Sequence, residues 1–166
     1  MKALLLLPLL LAGCISGTAQ VNDLCDTHSV SFPATGNIPS AGIITNTQSF
    51  TISVGAASTW VSKLILVSGV LTASNGSFDF LDELTISIKD PNGTEDVVLW
   101  DASGAALDTD TLGVEGSDVN LVKLIDSNNE LTINVVVSSG TSLPSVDWTL
   151  TADLCVDGAV SKTISL

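Results

Sequence analysis

The sequence predicts an all-β protein, an antiparallel β-sandwich or jelly roll of about eight strands stapled by one disulfide. Three observations predict it. Apolar residues alternate with Ser, Thr and Asn in short runs, the period of a strand with one buried face. Clusters of Gly, Pro, Asn and Asp interrupt those runs at the spacing of antiparallel connections. No stretch beyond the first 13 residues carries a convincing helical period.

Charge narrows the function classes. The 166 residues hold 18 acids against five basic residues, all of them lysine, for a net charge of -13. Nucleic-acid binding needs a cationic footprint to neutralise phosphates, so that class is excluded. Electrostatic docking on anionic lipid head groups is disfavoured for the same reason. The mean hydropathy of +0.50 does not signal a membrane span. No apolar run beyond the leader approaches the ~20 residues that a spanning helix needs.

Met1-Lys2 is a short positive start, and Ala3 to Leu11 is an apolar run interrupted only by Pro8, the pattern of a secretory leader. It ends Leu11-Ala12-Gly13-Cys14, which resembles the lipobox of bacterial lipoproteins position by position. That resemblance implies cleavage before Cys14, a diacylglycerol thioether on its sulfur and an acylated amino group. The partner is then the membrane itself, through the anchor on Cys14. Residue 15 is Ile rather than Asp, which by the family rule implies an outer-membrane or cell-surface location. The alternative is an ordinary leader cut after Ala19, at Gly17-Thr18-Ala19, giving a periplasmic or secreted protein.

Three cysteines in an exported chain leave one odd. Lipidation of Cys14 accounts for it and leaves Cys25 and Cys155 as a pair joining the first strand to the last. A closed loop of about 130 residues stabilises by roughly 5 kcal/mol in the chain-entropy model, as an upper figure. An oxidising compartment permits the bond, and two free buried thiols are the alternative. Zinc is disfavoured because His28 is the only other soft ligand. The expected organisation is a leader over 1–13, a polar tether over 14–22 and one domain over 23–166. The 153 residues after the leader (166 minus 13) suffice for a real core.

Along the chain, Val30 to Thr47 carries Pro33, Gly36, Pro39 and Gly42 and reads as irregular connection with a short edge strand. Phe50 to Val54 alternates as a strand. Trp60 to Thr72 reads as a long central strand bent near Gly69. Ser74-Asn75-Gly76-Ser77 is a loop, and Phe78, Phe80 and Leu81 lead into the strongest signal in the chain. There Leu84, Ile86 and Ile88 alternate with Thr85, Ser87 and Lys89, followed by Asp90-Pro91-Asn92-Gly93 and the apolar run Val97 to Trp100. This is strand, turn, strand, with Gly93 expected in the left-handed position. Asp101 to Asp118 is the least regular segment. Leu121 to Ile125 reads as a short strand, with a single helical turn as the alternative. Ser127 to Glu130 turns, Leu131 to Val137 alternates cleanly, and Ser138 to Ser145 is a loop. Trp148, Leu150, Ala152 and Leu154 alternate up to Cys155. Val156-Asp157-Gly158 then reads as a turn before a final strand, Val160 to Leu166.

Asp82 to Ile88, the Asp90-Pro91-Asn92-Gly93-Thr94 turn and Val97-Val98-Leu99 resemble the central hairpin of the P domain. That jelly-roll module accompanies subtilisin-type proprotein convertases and many bacterial secreted proteins. Trp148-Thr149-Leu150, Gly158 and Ile164 to Leu166 are similar to the family's last two strands. The resemblance covers roughly residues 60 to 166, and what it implies is architectural. Between Trp100 and Trp148 the family's landmarks are missing, and a terminal disulfide is not one of its features.

For chemistry, His28 is the single histidine, beside Asp26 and Ser29. Residues so close on one extended segment cannot face one substrate atom together, and no Gly-x-Ser-x-Gly nucleophile elbow occurs. Carboxylates are abundant. They would suit glycoside hydrolysis only in an aromatic-lined cleft. They suit calcium better, since Ca²⁺ takes hard oxygen ligands from loops and extracellular sites work at high ambient calcium. Asp101, Asp108, Asp110 and Asp118 are the first candidate ligands, and Asp79, Asp82 and Glu83 the second. The plainer alternative is that the acids keep the surface soluble. No other cofactor is expected. Of the three tryptophans, Trp148 is in register with core positions, Trp60 is intermediate, and Trp100 beside Asp101 is the candidate ligand-binding platform.

The function expected from these features is a non-enzymatic, lipid-anchored cell-envelope β-sandwich that acts as a binding, adhesion or structural module, with an envelope protein or glycan as partner. The alternatives are a small secreted hydrolase or hydrolase accessory domain, and a calcium-stabilised carbohydrate-binding module.

Overall fold

Leu84, Ile86 and Ile88 do what a period of two requires: all three turn to one side of a six-residue strand and are fully buried. The same alternation builds the rest of the molecule. A computed structural model describes residues 15–32, 44–54, 61–74, 76–140 and 147–164. Its strands are β1 (Ile15–Phe32), β2 (Ile44–Ser53), β3 (Val61–Ala73), β4 (Glu83–Ile88), β5 (Val97–Ser103), β6 (Thr111–Glu115), β7 (Glu130–Ser139) and β8 (Trp148–Ile164). Two 3-10 helices, Gly104–Leu107 and Leu121–Leu124, complete the described elements.

The strands form two antiparallel four-stranded sheets, ordered β1-β8-β3-β6 and β2-β7-β4-β5. The chain changes sheet at each connection except the β4–β5 hairpin and so wraps both layers together, as in a jelly roll. The sandwich is closed by side chains from both inner faces. Trp148, Phe32 and Phe78 are its largest fully buried residues. Phe32 stacks on Trp148 at 4.4 Å, and Phe80 meets the same indole edge-on at 5.1 Å. Such aromatic clusters bury large apolar areas and anchor small β cores. Among the described residues no helix is long and apolar enough to cross a membrane.

Several local expectations are corrected. Val156-Asp157-Gly158 does not turn: β8 runs straight through it, with Leu66, Ile65 and Leu64 of β3 opposite those three residues. Val156 and Gly158 also pair with β1, so two neighbouring strands override the local turn preference. The stretch from Ile15 to Asn22, expected as a tether, lies within β1, which ladders against β8 from Ile15 opposite Ile164. Asp101 to Asp118 is more ordered than its sequence suggests, holding the end of β5, a 3-10 turn and β6. Leu121–Leu124 is that helical turn rather than a strand. Leu121 and Leu124 bury the same side, and the Asn120 side chain caps the Val122 amide at 3.2 Å.

The hairpin pairs as expected, from Glu83 opposite Ser103 to Ile88 opposite Val97, with a bulge between Ile86 and Ser87. Its connection is not the expected glycine turn, because Gly93 is not among the left-handed residues. The Asp90 carboxylate accepts the Asn92 amide at 2.8 Å and closes the corner instead. Among the described residues the left-handed non-glycine residue is Asn129, φ 63°, in the turn before β7.

Cys25 and Cys155 are bonded. They face each other across the β1–β8 ladder with Cα atoms 4.0 Å apart at a sequence separation of 130. The bond lies within one sheet, joining edge strand β1 to the interior strand β8.

Candidate functional site

Strands β5 and β6 are the free edges of their two sheets, and both lie on the same long side of the sandwich. The five residues of β6 pair only with β3, and the seven of β5 only with β4. Between the two edges lies an open cavity of about 620 Å³. Leu99, Trp100 and Asp101 line it from β5, Leu112 and Glu115 from β6, and Ala106 from the 3-10 turn that links them.

Trp100 owes its place to the β4–β5 register. It sits opposite Ile86, on the core-facing side of the ladder, but on an edge strand with no further strand to cover it. The indole is therefore half-buried and packs on the core rim. Among the described residues it has no aromatic partner, whereas Trp148 has two. Asp101 and Glu115 also line the cavity and are exposed, but each follows a core-facing neighbour in its strand, Trp100 or Val114, so their carboxylates project from the outer faces of the sheets at the cavity's rim. A flat apolar face in an open cavity with oxygen acceptors at its rim is the composition of a site for a ring that carries hydroxyl groups.

The structure thus brings together two residues marked in the sequence, Trp100 and Asp101, and adds Glu115, which was not marked. The alternation of Leu112 and Val114 with Thr111, Gly113 and Glu115 was there to be read, but the flanking glycines masked it. Asp108, Asp110 and Asp118 are exposed and do not line the cavity. Among the described residues no three His, Cys, Asp or Glu side chains gather in a metal-holding group. In the second acidic set, Asp79 accepts the Ser77 hydroxyl at 2.6 Å, and the Asp82 carboxylate accepts the Gly140 amide.

The residues around His28 are likewise held in structural contacts. Its Nε2 lies 2.9 Å from Asp26 Oδ2, and its ring stacks on Phe50 of β2 at 4.5 Å. Ser29 projects from the other face of β1, where its hydroxyl meets that of Thr151 at 3.0 Å. Serine and histidine therefore form no catalytic pair. Cys14 and Trp60, marked as lipidation site and intermediate aromatic, lie outside the described residues.

No protein-family model and no curated protein matches this chain. Among solved structures, a chain from the acidic stable capsid of Helicobacter pylori bacteriophage KHP30 is similar at 9% identity and a TM-score of 0.38, covering 88% of this chain and 98% of that one. A CBM4 structure aligns at 19% identity and a TM-score of 0.31, covering 86% and 84%. A nora virus structure aligns at 12% identity and a TM-score of 0.31, covering 86% and 60%. Likenesses this distant carry no argument about what the present chain does.

Proposed function

We propose that this protein is a non-catalytic binding module of the bacterial cell envelope, anchored through lipid on Cys14, that takes a glycan-like ring in the seam between β5 and β6. The observation that carries the reading is Trp100: a half-buried indole at an open edge, in a cavity whose rim carries the exposed residues Asp101 and Glu115. The C–H face of a sugar ring stacks on such an indole, and its hydroxyls donate to the carboxylates. Both carboxylates are solvated, whereas the general acid of a glycosidase is usually made by burying a carboxyl group in an apolar pocket. That supports binding without turnover.

Trp100→Ala tests the site. A panel of soluble envelope oligosaccharides, titrated calorimetrically, is expected to contain a ligand whose affinity falls at least about tenfold in the variant, equivalent to about 1.4 kcal/mol. Unchanged affinity in the variant, or release of reducing ends by the wild-type protein that stops in Glu115→Gln, would overturn the reading. The anchor is supported by the Leu11-Ala12-Gly13-Cys14 sequence and by the Cys25–Cys155 bond, which uses the other two of the three cysteines in the sequence. Cys14→Ser is expected to move the protein from the membrane to the soluble fraction and to abolish fatty-acid labelling. Persistence in the membrane would end the lipoprotein reading.

A further inference from the structure

Strand β1 begins at Ile15, the residue next to Cys14 in sequence, and it is laddered from its first position, where Ile15 pairs with Ile164 of β8. One peptide unit, about 3.8 Å between Cα atoms, is all that separates the proposed lipidation site from a sheet. The ladder runs through Ser16–Thr163, Gly17–Lys162 and Ala19–Val160 toward the sandwich. A third strand joins where Val61 of β3 pairs with Val160, and the Cys25–Cys155 bond ties β1 to β8 farther on. The second sheet does not reach this far: β2 ends at Ser53, which shares a cavity with Cys25 and Asp26. The outer part of β1 and β8 is thus a ribbon that projects from one end of the sandwich. Built as a flexible linker, the same residues would let the domain tumble above its anchor; a hydrogen-bonded ribbon does not.

Charge sets this ribbon apart. The net charge of -13 disfavours contact with anionic head groups for the chain as a whole. Yet residues 15–22, 61–66 and 158–164, which build the ribbon, contain Lys63 and Lys162 and no acid. Lys162 pairs with Gly17, two positions from the Ile15–Ile164 end, or about 7 Å along the strand. The nearest acid along β8 is Asp157, seven positions from Ile164, or about 23 Å. The Debye length is about 8 Å at physiological salt, so a phosphate at the end of the ribbon meets Lys162 while Asp157 is screened. The opposite end of the sandwich carries Asp108 and Asp110. There the Ala73 amide, at the end of β3 remote from Val61, donates to the Asp110 carbonyl at 3.0 Å.

We infer that the projecting end of the β1–β8 ribbon is a membrane-contact surface, seated on the phosphate head groups of the leaflet that holds the anchor, with Lys162 as the residue that meets them. The inference rests on the lipid anchor at Cys14. It makes the ribbon a stalk: the sandwich stands end-on to the bilayer, and the Asp108–Asp110 end points away. The level of the seam follows from register. Gly113 of β6 pairs with Val70, and Val70 with Asp153 of β8, eleven positions from Ile164 and about 36 Å along that strand. At that height the seam is beyond the head groups of its own membrane and takes a ligand presented by the envelope above the lipid.

The acylated protein in vesicles of phosphatidylethanolamine and phosphatidylglycerol tests this. Cys25 and Cys155 are bonded and Cys14 carries the lipid, so a cysteine introduced at Ser161 or at Asp108 is the one free thiol for a fluorophore. A quencher attached to the lipid head groups is expected to quench the Ser161→Cys probe at least about fivefold more than the Asp108→Cys probe. Inserting about twelve Gly and Ser residues between Cys14 and Ile15 should bring the two probes within about twofold of each other. Lys162→Glu, without the insertion, should shrink the difference at least about twofold, whereas Lys89→Glu, off the ribbon, should leave it unchanged. Equal quenching of the two probes in vesicle-bound protein would overturn the end-on contact and leave the anchor intact. A difference that survives Lys162→Glu undiminished would overturn the head-group contact at that residue. Failure of the parent protein to float with the vesicles would overturn the anchor, and the contact with it.

Discussion

The two long sides of the sandwich are built differently. On one side the edge strands are β1 and β2, and the gap between the sheets is spanned by the His28–Phe50 stack. There β1 ladders against β8 from Ile15 to Phe32 and is tied to it by Cys25–Cys155. On the other side β5 and β6 are short, and the gap between them is the cavity that exposes Trp100. An edge strand leaves a row of unpaired backbone groups and uncovered side chains, which a fold must either cover or put to use. Here the β1–β2 side is bridged by the His28–Phe50 stack, beside a smaller cavity of about 270 Å³ between Cys25, Ile52 and Leu154. The other can take a ligand without disturbing the core, because Trp148, Phe32 and Phe78 lie deeper in the sandwich.

The largest expected effect comes from breaking the closed side. Because the β1–β8 ladder already holds both cysteines in register, the bond acts chiefly on the unfolded chain, where it closes a loop spanning 130 positions. Replacing Cys25 and Cys155 together by alanine is expected to lower unfolding free energy by about 2–5 kcal/mol while leaving the seam able to bind. Equilibrium urea unfolding of the two forms measures the first, and ligand titration the second. A loss below about 1 kcal/mol would mean that the closed side needs no staple, and the contrast between the two sides would weaken accordingly.

What was legible in the sequence divides along similar lines. Strands with strict alternation, Leu84 to Ile88, Leu131 to Val137 and Trp148 to Leu154, were readable because their pattern is set by one buried face. The disulfide was readable from cysteine number and placement. Where pairing partners decide the outcome, local signals misled. Val156-Asp157-Gly158 carries turn residues yet sits in an interior strand, and the glycine-rich stretch before Asp118 hides β6. The seam was half legible. Trp100 and Asp101 stood out as an aromatic beside an acid at a strand end, but Glu115 joins them only because the topology places β5 and β6 at the same side. The proposed calcium ligands drew on proximity in sequence alone, and Asp108, Asp110 and Asp118 are not gathered with Asp101 into a metal-holding group.

A smaller and sharper test uses one substitution at two glycines. Gly69 lies in β3 between β8 and β6, where an added Cβ would come within 2.6 Å of Leu154 Cδ2 and 2.9 Å of the Asp153 carbonyl oxygen. That backbone oxygen cannot swing away, so Gly69→Ala is expected to cost about 1–3 kcal/mol. Gly113, opposite Val70 on edge strand β6, has open space where its Cβ would stand and no left-handed φ. Gly113→Ala should stay within about 0.5 kcal/mol of wild type, in the stabilising direction, because alanine loses less backbone freedom on folding than glycine. Thermal melts separate the two, at about 2–4 °C for each kcal/mol in a chain of this size. If Gly113→Ala were as damaging as Gly69→Ala, β6 would be packed like an interior strand.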